Sequence, residues 1–257
     1  MPIITLTTDW GLKDFHVASL KGALLSVSPT AQIIDITHIV EGLNIAQGAF
    51  IFKNSYTSFP PGTIHFVGIG SFAEKNNELL LIKYQGNYFI GINDGFFSIV
   101  FDETPVDMVV LPPSGNAFAA YDFGAIVKAV EQVIAGTNIY ELGSRPSAFV
   151  EKTIFRPVIE EDVIRGTVVY IDDFGNAITN ISRQLFDEQR KDRKFEINAR
   201  RQQYTVSSLN TRYDDNEQGT IIALFNTIGL LEIAINHGNA SRLLGLKQND
   251  TVRIDFH

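Results

Sequence analysis

The stretch Asp172–Asn180 places two adjacent carboxylates, a glycine and two asparagines directly after an apolar run, Gly166–Ile171. The β-branched and aromatic residues of that run predict a buried strand. A strand end that carries acids, amides and a turn at Gly175 could hold a polar small molecule. The same residue types also form ordinary β-turns, in which Asp and Asn bond to neighbouring backbone groups. The residues of this segment leave both interpretations open.

Asp9 is the strongest ligand-binding candidate in the N-terminal half. It follows a short β-branched run and precedes a predicted helix, and ligands of open α/β sheets bind at this end of a strand. A carboxylate there can accept hydrogen bonds from both hydroxyls of a ribose. The alternative for Asp9 is a turn residue, whereas Asp14 is better explained as a helix N-cap.

A second polar pair, Asn226 and Thr227, lies between two predicted strands of the C-terminal half. The two side chains could bind a ligand carboxylate or could close a hairpin. Gly68-Ile69-Gly70 could cradle a phosphate, but it lacks the third glycine and the following helix of a dinucleotide site. Asn93-Asp94-Gly95 is typical of a turn.

No cofactor or metal site is predicted. The histidines have no HExxH spacing, and there is no GxSxG motif of a serine hydrolase. The histidines considered are His16, His38, His65 and His237.

The N-terminal half alternates strands with helices. Strands are predicted at 3–8, 32–37 and 63–67, separated by helices that start at Asp14 and at residue 44. Strands connected in this way pair in parallel through right-handed crossovers. A hairpin follows at 79–92, then a strand near 109–111 and a helix over about 120–135. The pattern predicts an α/β domain with a mixed, mostly parallel sheet and helices on both faces.

The pattern changes after residue 150. We predict an α/β domain over 1–150, a linker over 151–165 and an all-β domain over 166–257. Seven short strands in the last segment are typical of a small antiparallel barrel. They are 166–172, 176–181, 194–198, 202–206, 220–225, 230–235 and 251–256.

Composition excludes several classes of function. The 257 residues are 45% hydrophobic and carry a formal net charge of −8, which argues against a nucleic-acid surface. The chain has no cysteine, so disulfides, thiolate metal sites and cysteine nucleophiles are excluded. The first residues lack a signal-peptide pattern, and no apolar stretch approaches the ~20 residues that span a bilayer. We therefore expect a cytoplasmic protein without a membrane partner.

Motifs along the whole chain resemble one family. Ile4–Gly11, followed by Asp14 and Lys21-Gly22, resembles the opening "TLTTDFG…D…KG" of the S-adenosylmethionine hydroxide adenosyltransferases, the hydrolases related to fluorinase and chlorinase. Further segments match in family order. They are Ile34–His38, Pro61–His65, Ile171–Asn176, Thr179–Ile181 and Phe225–Ala234.

The resemblance implies an α/β domain and a β-barrel domain, assembled as a homotrimer with ligand sites at subunit interfaces. It implies that Asp9 holds the ribose hydroxyls of S-adenosylmethionine and that Asp172 accepts from the methionine ammonium. Thr227, beside Asn226, would meet the methionine carboxylate. Asn176 would contact the adenine, and Asn236 is a further candidate on the adenine side.

The family reaction is attack of water or hydroxide on the ribose C5′, with methionine as the leaving group. The family's water-positioning residues are an Asp, an Arg and a His, and this sequence lacks all three. The Asp position falls on Gly70, the Arg region reads Lys75-Asn76-Asn77, and the His position falls on Ala119. The family's "PDNG" is altered to Ile92-Asn93-Asp94-Gly95.

Two hypotheses follow from these departures. In the first, the chain hydrolyses S-adenosylmethionine to adenosine and methionine with a different water-holding set or a different nucleophile. Residues that could contribute are Tyr121, Asp122, Asp94 and Lys75. In the second, the chain is a catalytically degenerate protein that binds S-adenosylmethionine or a nucleoside.

Overall fold

The computed structural model describes residues 1–70, 78–115, 123–153, 156–199 and 204–257. These residues form two compact units, Met1–Thr153 and Ile154–His257. Within the described ranges, no helix combines the length and apolar character needed to cross a membrane.

The first unit alternates strands and helices, as the periodicity predicts. Its elements are β1 (Ile3–Thr8), α1 (His16–Val27), β2 (Gln32–Thr37), α2 (Ile45–Tyr56), β3 (Ile64–Gly68), β4 (Leu79–Tyr84), β5 (Asn87–Ile92), α3 (Phe96–Val100), β6 (Asp107–Val110) and α4 (Phe123–Ile134).

The six strands of this unit form one sheet in the order β2-β1-β3-β5-β4-β6. β1 pairs in parallel with β2 and β3, and β3 pairs in parallel with β5. The hairpin strand β4 is antiparallel to β5 and β6. The carboxyl ends of β1, β3 and β5 therefore lie side by side at one edge of the sheet.

Helices cover both faces of this sheet. Leu6 of β1 belongs to an apolar layer with Leu20 of α1 and Ile126 of α4. Phe52 of α2 and Phe97 of α3 belong to the layer on the other face. Successive strand residues point to opposite faces, which explains why the strands read as nearly continuous apolar runs. The predicted mixed α/β architecture is confirmed.

The prediction that Asp14 caps the first helix is wrong. α1 begins at His16, and its N-cap position is Phe15, which makes no side-chain capping bond. Ser19 N donates to Phe15 O at 2.8 Å, so the helical hydrogen bonds start one residue after Asp14. The helix predicted over 120–135 begins at Phe123 in the described residues, and 120–122 lie outside them.

The second unit is mostly antiparallel strand. Its elements are β7 (Val158–Glu160), β8 (Val163–Ile171), β9 (Ala177–Ser182), α5 (Arg183–Arg190), β10 (Phe195–Ala199), β11 (Thr205–Val206), β12 (Ile221–Phe225), β13 (Leu230–Ile235), α6 (Ala240–Leu244) and β14 (Thr251–Phe256). β7 and the start of β8 lie in the segment predicted as a linker.

These strands form one curled sheet in the order β11-β10-β14-β8-β9-β13-β12, with β7 paired to β8. Asn210 N, just after β11, donates to Ala223 O of β12 at 2.8 Å, so the two ends of the sheet approach each other. Phe186 of α5 is fully buried in the core enclosed by the sheet. The nearly closed barrel confirms the predicted fold class of this half.

Candidate functional site

Asp9 lies at the carboxyl end of β1, where its carboxylate is fixed by two backbone groups. Its Oδ2 accepts hydrogen bonds from Leu43 N at 3.1 Å and from Gly70 N at 3.2 Å. In the described chain no hydrogen bond engages Oδ1. The half-buried carboxylate is thus held in one orientation with an oxygen left to bind a ligand.

Leu43 adopts a conformation that is uncommon for a leucine. Its φ of 64° lies in the left-handed region, which costs an L-residue roughly 1–2 kcal/mol. That conformation directs the Leu43 N–H toward Asp9. The residue that helps to orient the Asp9 carboxylate is therefore held in a strained backbone conformation.

A polar network lies beneath the loop that carries Asp9. Thr8 Oγ1 and His38 Nδ1 lie 2.7 Å apart, His38 Nε2 lies 3.1 Å from Asp35 Oδ1, and Lys21 Nζ donates to Asp35 Oδ2 at 2.6 Å. Burial raises the pKa of Asp35, but the bonds from Lys21 and His38 outweigh it and hold that pKa below its usual value.

The order Asp35–His38–Thr8 has the connectivity of a nucleophile activated by a histidine. Thr8, however, is completely buried, so its hydroxyl cannot reach a substrate. The network instead supports the loop, since Gly11 N also donates to His38 O at 2.7 Å.

Asp94 follows β5 and faces Gly70. A Cβ built on Gly70 would lie 3.3 Å from Asp94 Oδ2, so the Asp94 carboxylate occupies the space that a side chain at position 70 would enter. Burial raises the pKa of Asp94, while Phe96 N and Lys152 act against that rise. The edge formed by β1, β3 and β5 therefore carries Asp9 and Asp94 on either side of Gly70.

The histidine of the Pro61–His65 motif is structural. His65 is buried among aromatic rings, stacks on Phe89 and lies 2.7 Å from Thr5 Oγ1 through Nδ1. Burial lowers the pKa of His65 to about 4, so the ring is neutral at physiological pH.

In the second unit, Asp172 and Asn176 form a tight turn between β8 and β9. Asn176 donates its backbone N–H to Asp172 Oδ1 at 2.8 Å and its side-chain Nδ2 to Oδ2 at 3.0 Å. Gly175 occupies the left-handed region at φ 82°. The turn predicted from the residue types is present, and each carboxylate oxygen keeps a second lone pair for a ligand.

The segment after β13 lies beside this turn. Asn239 packs against Gly175, and Ser241 N donates to Gly175 O at 2.7 Å, which joins the segment after β13 to the Asp172 turn. Asn236 itself is buried and donates from Nδ2 to Asn216 O at 2.7 Å.

Asn226 and Thr227 form the connection between β12 and β13. Asn226 Oδ1 accepts from Ile228 N at 3.2 Å and from Leu230 N at 3.1 Å, and its Nδ2 donates to Glu232 Oε2 at 3.1 Å. These bonds close the hairpin. Thr227 is exposed, so its hydroxyl is accessible to a ligand.

Glu232 and Tyr213 are two polar residues that sequence reasoning missed. Glu232 is a buried carboxylate on β13, and its Oε1 accepts from the Tyr213 hydroxyl at 2.7 Å. A single acid inside an apolar strand was the available signal, because buried carboxylates are rare without a specific partner. Tyr213 and Asn236 line an open cleft of about 520 Å³ together with four neighbours. They are Thr211, Arg212, Asp214 and His237.

The predicted residues of this unit extend along β13 instead of meeting at one point. Asn226 and Thr227 precede the strand, whereas Asn236 follows it, at the end where Ile233 pairs with Ala177. Six residues of strand separate the two groups by roughly 17–20 Å.

Ala119, Tyr121, Asp122 and Lys75 lie outside the described residues. Among the residues that are described, no group of three or more His, Asp or Glu side chains is arranged to hold a metal ion.

Each of the two units matches a family model of its own. The family model for the SAM hydroxide adenosyltransferase N-terminal domain matches residues 4–143, and the model for the C-terminal domain matches residues 166–253. A protein of Methanocaldococcus jannaschii named (R)-S-adenosyl-L-methionine hydrolase is 27% identical over 100% of this chain and 97% of its own length.

A fluorinase of Actinopolyspora mzabensis is 24% identical over 98% of this chain and 97% of its own. The crystal structure of an uncharacterized conserved protein from Thermotoga maritima superposes with a TM-score of 0.84 at 26% identity. That match covers 98% of this chain and 99% of the other.

Proposed function

Because the chain belongs to the SAM hydroxide adenosyltransferase family, we propose that it binds S-adenosyl-L-methionine and hydrolyses it to adenosine and methionine. Water or hydroxide attacks the ribose C5′, the C5′–S bond breaks, and methionine leaves as a neutral thioether. The sulfonium is an activated leaving group, so the protein needs mainly to hold the substrate and a nucleophile in line.

The Asp9 carboxylate is the observation that carries this proposal. Two backbone N–H groups fix its Oδ2, and it stands at the carboxyl edge of a mostly parallel sheet. A carboxylate in such a position can accept from both hydroxyls of a ribose.

The polar groups of the second unit suit the remaining parts of the substrate. Asp172 and the buried Glu232 supply negative charge for a ligand that carries an ammonium and a sulfonium. Asn176 and Asn236 offer amides to a purine edge, and Thr227 offers a hydroxyl to the methionine carboxylate.

We further propose that a second copy of the chain completes the site, within a homotrimer. The loop that carries Asp9 and the loop bonded to it expose apolar side chains that another subunit would cover. They are Leu12, Phe15, Ile39 and Leu43. The two loops that carry them are joined by the bonds from Gly11 to His38 and from Leu43 to Asp9. An exposed apolar patch of this kind is typical of an interaction surface.

A second candidate function is binding without turnover. It is favoured by Gly70, which stands at the position of the family's water-positioning aspartate and has no side chain. Loss of a positioning group typically costs about 10²–10⁴ in rate. The residues assigned to ligand binding, Asp9 among them, are retained, so a degenerate member would still bind its ligand.

The experiment incubates pure protein with S-adenosyl-L-methionine, separates adenosine and methionine by chromatography, and measures ligand-induced stabilisation by thermal unfolding. Both epimers at sulfur are included, since the M. jannaschii relative is named for the (R) form. Asp9→Ala tests the site, and Asp14→Ala is the matched control because Asp14 is an exposed carboxylate of the same loop.

We expect equimolar adenosine and methionine from the wild type and from Asp14→Ala, and neither turnover nor stabilisation with Asp9→Ala. Stabilisation without products supports the non-catalytic binder. If neither epimer nor adenosine stabilises the wild type, the proposed ligand is wrong.

A further inference from the structure

Three neighbouring parallel strands are each followed by one residue that lies at the carboxyl edge of the first sheet. Asp9 follows β1, Gly70 lies two residues beyond β3, and Asp94 lies two residues beyond β5. Gly70 N donates to Asp9 Oδ2 at 3.2 Å, and the missing Gly70 side chain leaves room that Asp94 Oδ2 approaches. The Asp94 carboxylate is therefore close to the group that would hold the ribose.

The two oxygens of Asp94 have different environments. Oδ1 accepts from Phe96 N at 3.0 Å at the start of α3, which fixes the side-chain torsion. Oδ2 faces the position that a Cβ on Gly70 would occupy. One oxygen thus orients the side chain, while the other points toward Gly70 at the carboxyl edge of the sheet.

The charged groups around Asp94 come from several elements. Asp9 follows β1. Glu78, just before β4, accepts a hydrogen bond at 2.9 Å from Nδ2 of Asn93, the residue that precedes Asp94. The aliphatic part of Lys152 covers Gly95, and its ammonium lowers the Asp94 pKa. Burial has the larger effect and leaves the pKa of Asp94 above the ordinary aspartate value.

We propose that Asp94 holds the attacking water through Oδ2 and accepts its proton, in the place that Gly70 leaves without a side chain. This inference rests on the proposed hydrolysis. Oxygen of water forms the bond to C5′, the C5′–S electron pair goes to methionine sulfur, and one water proton passes to Asp94. The proton then returns to solvent, so the carboxylate is regenerated.

A purely structural role for Asp94 predicts different behaviour. As a cap for Phe96 N, the side chain needs only an acceptor, which asparagine also supplies. Asp94→Asn keeps that acceptor and the shape but removes the proton-accepting carboxylate. The variant therefore separates the two roles without disturbing the start of α3.

The test measures kcat, KM and the pH dependence of kcat for the wild type, Asp94→Asn and the control Asp102→Asn. Asp102 is an exposed carboxylate that pairs with Lys53 at 2.8 Å. Ligand-induced thermal stabilisation is measured for all three proteins in parallel.

We expect Asp94→Asn to lower kcat by about 10²–10⁴-fold while KM and ligand-induced stabilisation stay near the wild-type values. In the wild type, kcat falls as pH drops through the Asp94 pKa, because the protonated carboxyl no longer accepts a proton. That acid limb is absent from the residual activity of Asp94→Asn and present in Asp102→Asn.

Unchanged kcat in Asp94→Asn overturns the inference and leaves the proposed hydrolysis standing. Equal loss of stabilisation and turnover assigns Asp94 to ligand binding and also overturns it. A wild type that binds without turnover overturns the role of Asp94 while keeping the ligand, and a wild type that does not bind overturns the proposed function itself.

Discussion

At the scale of single residues, the carboxyl edge of the first sheet depends on groups with unusual backbone conformations. Leu43 and Gly70 both have positive φ, and both direct an N–H toward Asp9. The orientation of one carboxylate is thus determined by two loops far apart in sequence. This arrangement favours a binding role over an ordinary turn for Asp9.

Replacing Gly70 tests how tightly this edge is built. Gly70→Ala places a Cβ at φ +89° and 3.3 Å from Asp94 Oδ2. We expect the free energy of unfolding to fall by roughly 1–2 kcal/mol because alanine is strained in the left-handed region. Denaturant unfolding measures the change.

The matched control is Gly22→Ala. Gly22 lies on the exposed side of α1 with open space around its Cα, so alanine there should raise stability by roughly 0.5–1 kcal/mol. Equal effects of the two substitutions would show that the conformation of Gly70 is not strained.

The residue types alone could not predict that Asp94 lies next to Gly70. The chain indicates a turn at Asn93–Gly95, and that local feature is correct. The contact with Gly70 arises because β3 and β5 are neighbours and end at the same edge, which is a property of strand order. Pairing across 24 residues has no local sequence signal.

At the scale of elements, the hairpin of β12 and β13 holds three polar residues of the second unit, Asn226, Thr227 and Glu232. Glu232 accepts from Asn226 and from Tyr213, and so connects the hairpin turn to the open cleft. Burial, followed by the bond to Glu232, raises the pKa of Tyr213 well above its ordinary value.

This shift predicts a loss of stability in alkali. The folded protein keeps the Tyr213 proton above pH 10, whereas the unfolded chain releases it near the ordinary tyrosine pKa of about 10. Ionisation therefore favours the unfolded state as pH rises beyond about 10. Below that pH, Tyr213 is protonated in both states, and its contribution to the free energy of unfolding is fully present.

The expected result is a steeper loss of unfolding free energy in the wild type than in Tyr213→Phe between neutral pH and about pH 11. Tyr56, Tyr140 and Tyr170 remain in both proteins, so their effects cancel in the comparison. Parallel curves would mean that neither burial nor the bond to Glu232 raises the pKa of Tyr213 in the folded protein.

Sequence patterns predicted the long elements and missed the short helices α3, α5 and α6. α2 and β13 carry clear periodicity and lie where predicted. α5 was missed because its eight residues are mostly charged or polar and Phe186 is its only fully buried side chain. Its actual signal is Ser182, which accepts from Leu185 N at 3.1 Å as an N-cap.

The prediction of the start of α1 was wrong for a different reason. Both Asp14 and Phe15 precede an apolar repeat, and propensity favours the aspartate as a cap. The helix instead begins after Phe15, which leaves Asp14 exposed. Capping preference is smaller than the tertiary contacts that fix this loop beside Asp9.

At the scale of the whole molecule, the central prediction concerns assembly. Phe15, in the loop that follows Asp9, is 71% exposed, which is a costly position for an aromatic ring in an isolated chain. We expect the wild type to elute as a trimer in size-exclusion chromatography with light scattering. Phe15→Glu should dissociate it and reduce turnover.

Val106→Glu is the control for this substitution. Val106 is 88% exposed just before β6, at the edge of the sheet opposite the Asp9 loop. It should leave the trimer intact. A monomeric wild type with full activity would contradict a site shared between subunits.

The proposed reaction is tested most directly by running it in water enriched in the heavy oxygen isotope. Attack at C5′ places the label in the 5′-hydroxyl of adenosine and leaves methionine unlabelled. Mass spectrometry of the two products should therefore show one labelled oxygen per adenosine and none in methionine. Unlabelled adenosine, or no adenosine at all from a protein that binds S-adenosyl-L-methionine, would contradict hydrolysis by this chain.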